Sequence, residues 1–204
     1  MAPGGALAGG PGDRFCVSGD LLSSSTQRTA WDTGDGAELE FEGSGSGDGT
    51  HRVTLTGADV GPVAAGFEQN FAWGTVAVDA GQRLLLEDGD ATPGAALYAR
   101  TLLLAAAPAD DPVALADFIA ASLVNVDPAR PASVYYDPTT PGDAYLGGRT
   151  YALGGGGVLA PAVAGPVPEP AGLAIWGIAA GAMSILWRRC RPRRIHPPGD
   201  ASDG

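Results

Sequence analysis

The apolar positions of this chain fall into short alternating runs separated by glycine, proline and aspartate. In Glu38-Leu39-Glu40-Phe41-Glu42 the leucine and phenylalanine share one face and the three glutamates the other, the period-2 signature of a strand with one wet face. After a Gly/Ser/Asp loop over residues 43–49, Arg52-Val53-Thr54-Leu55-Thr56 alternates again, as a hairpin partner or as the next edge of a coil. Gly74 to Asp79 turns Val76 and Val78 inward. Leu84-Leu85-Leu86 is apolar on both faces and reads as a strand buried between layers, so Leu85 is expected in the core, and so is Leu103 in the run Leu97 to Leu104. One helix interrupts the strands: Asp111 caps it, Pro112 opens it, Leu115, Phe118, Ile119 and Leu123 form its apolar stripe, and Asn125 ends it. Val134-Tyr135-Tyr136 and Arg149 to Leu153 are the last strands.

Val53, Val76 and the Leu97 to Leu103 run recur about every 23 residues, the spacing that stacked coils would give. Gly74-Thr75-Val76-Ala77-Val78 and the run from Leu97 to Leu104 also look like the short rungs of passenger-type surface proteins. The expected fold is mainly β: an incomplete right-handed parallel β-helix, solenoid-like, with one short helix. A small β-sandwich is the alternative. By composition residues 1–30 are expected to be poorly ordered, residues 31–153 to form a β-rich exported domain, and residues 154–166 to be a Gly/Pro linker.

Charge narrows the partners. The chain has 12 arginines and no lysine; seven arginines precede residue 167 against twenty acidic residues there, which leaves that body at about −13. Such a field repels nucleic acid, so none is expected as a partner. Asp32, Asp35, Asp88 and Asp90 sit among glycines in turns and are the weak candidates for calcium, although no EF-hand loop surrounds them. Catalytic chemistry finds little. His51 lies beside a glycine-rich loop and reads as a solvated histidine, His196 and Cys190 are in the tail, and Cys16 reads as an incidental thiol. No cofactor, no metal and no enzymatic activity are expected. Trp31, Trp73, Tyr135 and Tyr136 are either core residues or, if exposed, a stacking surface for exopolysaccharide. A glycan-active enzyme is a third reading that rests only on carboxylate pairs such as Glu87 with Asp88.

The C-terminal end carries the most specific pattern. Val167-Pro168-Glu169-Pro170 breaks regular structure, residues 171–187 carry no charge, and Arg188, Arg189, Arg191, Arg193 and Arg194 follow. As a helix at about 1.5 Å per residue, the apolar stretch is about 25 Å long, close to the hydrocarbon thickness of a bilayer. The arginines would hold its C-terminal end in the cytoplasm and leave the body outside. These residues resemble the PEP-CTERM sorting signal, in which a Pro-Glu-Pro tripeptide, a transmembrane helix and an arginine cluster come in that order. The resemblance implies recognition by an exosortase, a membrane protease, and transfer of the body to the cell surface or matrix, with a link to exopolysaccharide or biofilm. The precursor would sit in the inner membrane. Residues 195–204 are read as a disordered polar tail. Met1 to Gly12 has neither the basic nor the apolar stretch of a secretory signal, so export is expected to depend on sequence upstream of Met1.

Overall fold

The computed structural model describes residues 6–162, apart from 26, 28–30, 35, 44–46, 69 and 90–93. These belong to one compact unit, Met1–Gly165; the second, Pro166–Gly204, contains the Pro-Glu-Pro motif, the apolar stretch 171–187, the arginines and the tail, all outside the described residues. Among the described residues no helix is long and apolar enough to cross a membrane.

The described unit is mainly β, with parallel sheets. Its strands are β1 (Leu7–Ala8), β2 (Arg14–Val17), β3 (Trp31–Asp32), β4 (Glu38–Phe41), β5 (Thr50–Leu55), β6 (Trp73–Val78), β7 (Arg83–Asp88), β8 (Ala96–Leu104), β9 (Leu123–Asn125), β10 (Ser133–Tyr136), β11 (Tyr151–Ala152) and β12 (Val158–Pro161). One helix, α1 (Pro112–Ser122), precedes β9. A seven-stranded sheet runs β11-β12-β10-β8-β6-β4-β2, a three-stranded sheet runs β5-β7-β9, and β1 pairs with β3. Every named pairing is parallel except β11 with β12. Parallel strands cannot be joined by tight turns, so from β1 to β10 consecutive strands go to different sheets. Thus β4 and β5 do not form a hairpin: β4 pairs with β2 and β6, and β5 with β7.

Alternation decides which side chains are buried. Phe15, Leu39, Val76 and Leu102 stand in register across four strands, and Val17, Phe41, Val78 and Leu104 form a second column. From the other sheet Val53, Leu55, Leu84 and Leu86 join the same core. The intervening positions point outward. Leu85 is only half-buried and Leu103 is 39% exposed, so neither is the core residue its apolar neighbours suggested. A strand packed on one face buries every second residue, however apolar the ones between.

The spacing of partners is irregular. Register partners are separated by 24 residues (Arg14 and Glu38), 37 (Glu38 and Thr75), 26 (Thr75 and Thr101), 37 (Ala96 and Ser133) and 25 (Val134 and Leu159). The 23-residue recurrence compared positions in different sheets, since Val53 is in β5 and Val76 in β6. One long excursion contains α1. Asp111 caps it by accepting from the amides of Val113 (2.9 Å) and Ala114 (3.1 Å). The helix stops at Ser122 rather than Asn125, because Leu123, Val124 and Asn125 extend to pair with Leu84, Leu85 and Leu86.

Both ends of the described unit extend beyond the expected 31–153. β1 and β2 lie in the segment expected to be poorly ordered, and β12 lies in the segment read as a linker, between β11 and β10 with Leu159 fully buried. The turn before β12 is fixed by Asn125, whose amide accepts from Ala132 N (2.8 Å) and donates to the carbonyls of Ala132 and Gly156.

Asp143 is a buried carboxyl, 1% exposed, that accepts from Leu102 N (2.8 Å) and from the Thr140 hydroxyl (2.9 Å). Burial raises its pKa to about 6 despite those bonds. The folded-state value is above the unfolded one, so the protonated carboxyl stabilises the fold, and that contribution is lost as pH rises from about 4 through 6. Asp143→Asn keeps an acceptor for Leu102 and removes the charge. Its denaturation midpoint should exceed the parent's at pH 7 by the equivalent of about 3 kcal/mol, with most of the difference gone near pH 4. A constant difference at both pH values would show that Asp143 is not the titrating group.

Candidate functional site

A concavity with a volume of about 380 Å³ opens beside β3. β3 contributes Trp31 and Asp32, the 3-10 turn Ala64–Phe67 with the residue after it contributes Phe67 and Glu68, and β8 contributes Arg100. Arg100 donates from Nε to the Gly34 carbonyl (2.9 Å), and its guanidinium lies over the Phe67 ring at 5.3 Å, so the cation is fixed in the wall. Trp31 packs edge-to-face on Phe71 (5.3 Å) and Trp73 (5.6 Å). It is 7% exposed, and its buried indole N–H has no hydrogen-bond partner. Buried donors in native folds are nearly always satisfied, so this one stands out. Phe71 is in the left-handed region (φ 55°), strain that is held where the Thr33 hydroxyl donates to the Ala72 carbonyl at 2.6 Å.

Two further depressions adjoin this pocket. One shares Asp32 and is lined by Ala8 to Pro11 and Asp13; the other shares Phe67 and Arg100 and includes Asp137 and Thr139. The lining comes from β1, β3, the Ala64–Phe67 turn, β8 and the residues after β10, elements from successive layers of strands.

Of the calcium candidates, Asp32 lines the pocket, and Asp35 and Asp90 lie outside the described residues. Asp88 forms an ion pair with Arg130 at 2.9 Å. Among the described residues the group with metal-ligand spacing contains neither Asp32 nor Asp88: it is Cys16, Glu40 and Glu42, with donor atoms within 4.8 Å of one another. Glu40 is already engaged by Arg14 (3.2 Å) and by the Cys16 thiol (3.5 Å). Desolvation of the thiolate, the Glu40 hydrogen bond and the charge of Glu42 raise the Cys16 pKa, which keeps the sulfur protonated and a poor ligand.

His51 is not a solvated loop residue. It lies in β5 and is fully buried; its Nδ1 faces the Gly19 carbonyl (2.6 Å), its Nε2 faces Gln82 Oε1 (3.0 Å), and its ring packs on Phe41 (5.3 Å). Both nitrogens are committed to the fold, where they tie β5 to the residues just after β2 and just before β7. The four aromatics offered as a stacking surface are core as well: Trp31, Trp73, Tyr135 and Tyr136 are all buried. Tyr135 stacks on Tyr98 at 4.9 Å on the outer side of the large sheet, under the segment that precedes β6. That segment is pinned there: the Tyr98 hydroxyl donates to Gly61 O (2.8 Å) and accepts from Val60 N (3.1 Å), and the Tyr135 hydroxyl donates to Asp59 (2.9 Å). A Cβ on Gly66 would overlap the Tyr98 ring, so only glycine lets the cover close.

Chemically, the pocket offers two exposed carboxylates and a fixed guanidinium. That set suits binding of a hydroxylated or cationic ligand. Glu68 and Arg100 were not singled out from the sequence: each stands alone in its stretch, and only the fold brings them to Asp32. No family model, curated protein or solved structure matches this chain.

Proposed function

We propose that this chain is an exported structural protein of the cell surface or extracellular matrix, delivered by its C-terminal signal and processed by an exosortase. The observation that carries the reading is the order Pro168-Glu169-Pro170, the charge-free stretch 171–187 and five arginines within Arg188 to Arg194. The body suits that role as a parallel β-helix: β2, β4, β6, β8, β10 and β12 neighbour one another in chain order, and antiparallel β11 closes the far edge. Its surplus of acidic residues keeps such a body solvated outside the cell. The precursor spans the inner membrane through 171–187, with the body outside and the arginines in the cytoplasm.

The test separates insertion from cutting. Glu169→Ala with Pro170→Ala, expressed in an exosortase-bearing host, should leave the chain in the membrane fraction at its uncut mass, while the parent is shortened. Equal shortening of both proteins would reject recognition of the motif.

A second reading, an exopolysaccharide-binding module, is favoured by the pocket at Asp32, Glu68 and Arg100. It does not compete with the first, since a matrix protein has a polymer to hold.

A further inference from the structure

We infer that the three adjoining depressions form one groove for a glycan chain that carries free amines, such as a de-N-acetylated hexosamine polymer. The inference rests on the binding-module reading and adds the ligand's chemical class. The middle pocket shares Asp32 with one neighbour and Phe67 and Arg100 with the other, and the walls come from successive layers of strands. A series of linked concavities fits an extended polymer better than a compact metabolite.

Charge selects the polymer. Among the described residues Asp13, Asp32, Glu68 and Asp137 line the series against one cation, Arg100. That guanidinium is turned to the Gly34 carbonyl and the Phe67 ring. The carboxylates of Asp32 and Glu68 have no ion-pair partner among the described residues and are exposed. An ammonium group bound at either carboxylate gains charge-assisted hydrogen bonds, and neighbouring sugar hydroxyls donate to the remaining lone pairs. A uronate polymer would meet like charge at each step, in a body of about −13. Trp31, which also lines the middle pocket, has a buried indole N–H without a hydrogen-bond partner.

The experiment is calorimetric titration of the full chain in detergent micelles at low salt with three probes: glucosamine hexamer, its fully N-acetylated counterpart, and galacturonate hexamer. The parent should bind the glucosamine hexamer at least about tenfold tighter than the acetylated one and not bind the galacturonate. Asp32→Asn with Glu68→Gln should lose at least about tenfold for the glucosamine hexamer. Asp110→Asn with Asp117→Asn, which removes the same charge from exposed positions outside the groove, should bind as the parent does. Equal losses in both double variants would overturn the inference by reducing it to general attraction of a polycation to an acidic protein. Equal binding of the two hexosamine probes, abolished by the groove variant, would overturn the amine preference and leave the module reading standing. No binding of any probe would reject both.

Discussion

Leu84→Asp should unfold the body of this protein, whereas Leu85→Asp, one residue further along the same strand, should leave it folded. Leu84 is fully buried and stands in register between His51 and Leu123. Truncating such a leucine to alanine costs about 2–5 kcal/mol, and an unpaired carboxylate in its place adds the desolvation of a charge. Against a total stability of about 5–15 kcal/mol, that removes most or all of the margin. Leu85 is half-buried on the outer face between Arg52 and Val124. An aspartate there keeps water and gains a cationic neighbour, and the expected change is within about 1 kcal/mol. Leu103→Asp, at 39% exposure, should behave like Leu85→Asp. Urea denaturation followed by circular dichroism separates the cases, and a Leu84 variant that melts with the parent would remove the alternation from the account.

Replacing Arg188, Arg189, Arg191, Arg193 and Arg194 together with glutamine should abolish fixed orientation at the membrane. In the proposed topology these residues form the cytoplasmic stop. Carrying one arginine to the bilayer centre costs about 2.5 kcal/mol or more on insertion scales, and five together exceed any orientation preference supplied by the flanks. The parent in intact spheroplasts should lose its body to added protease while a C-terminal tag stays protected. The variant should show a mixture, with tag cleaved in part of the population or the chain released to the medium. Full protection of the tag in the variant would mean that the arginines do not set the topology.

The sequence disclosed elements whose signals are local. Asp111 and Pro112 mark the start of α1 through chemistry confined to its first turn, and the alternation around Leu39 and Phe41 or Val76 and Val78 is visible over a few residues. What stayed hidden depends on distant partners. His51 is buried because Gly19 and Gln82, 32 and 31 residues away, meet its two nitrogens. Tyr135 is covered because the segment before β6 folds over Tyr98, an arrangement that Gly66 permits and that no pattern near Tyr135 announces. β12 was concealed by a composition of small residues and proline that resembles a tether, yet Leu159 joins the main core while Ala160 and Ala162 join the cluster around Tyr98 and Tyr135. Asp32 was named for calcium, and the fold instead brings it to Glu68 and Arg100. Triple leucine runs misled for the opposite reason: hydrophobicity at Leu85 and Leu103 exceeded what a one-faced strand buries.

The most direct measurement is the intact mass of the surface-associated protein recovered from an exosortase-bearing host, together with its C-terminal peptide. The processed chain should end near Pro168-Glu169-Pro170 and lack Trp187 and the arginines. Recovery of a surface chain that still contains Trp187 and runs to Gly204 would contradict processing and leave an uncut C-terminal anchor in its place.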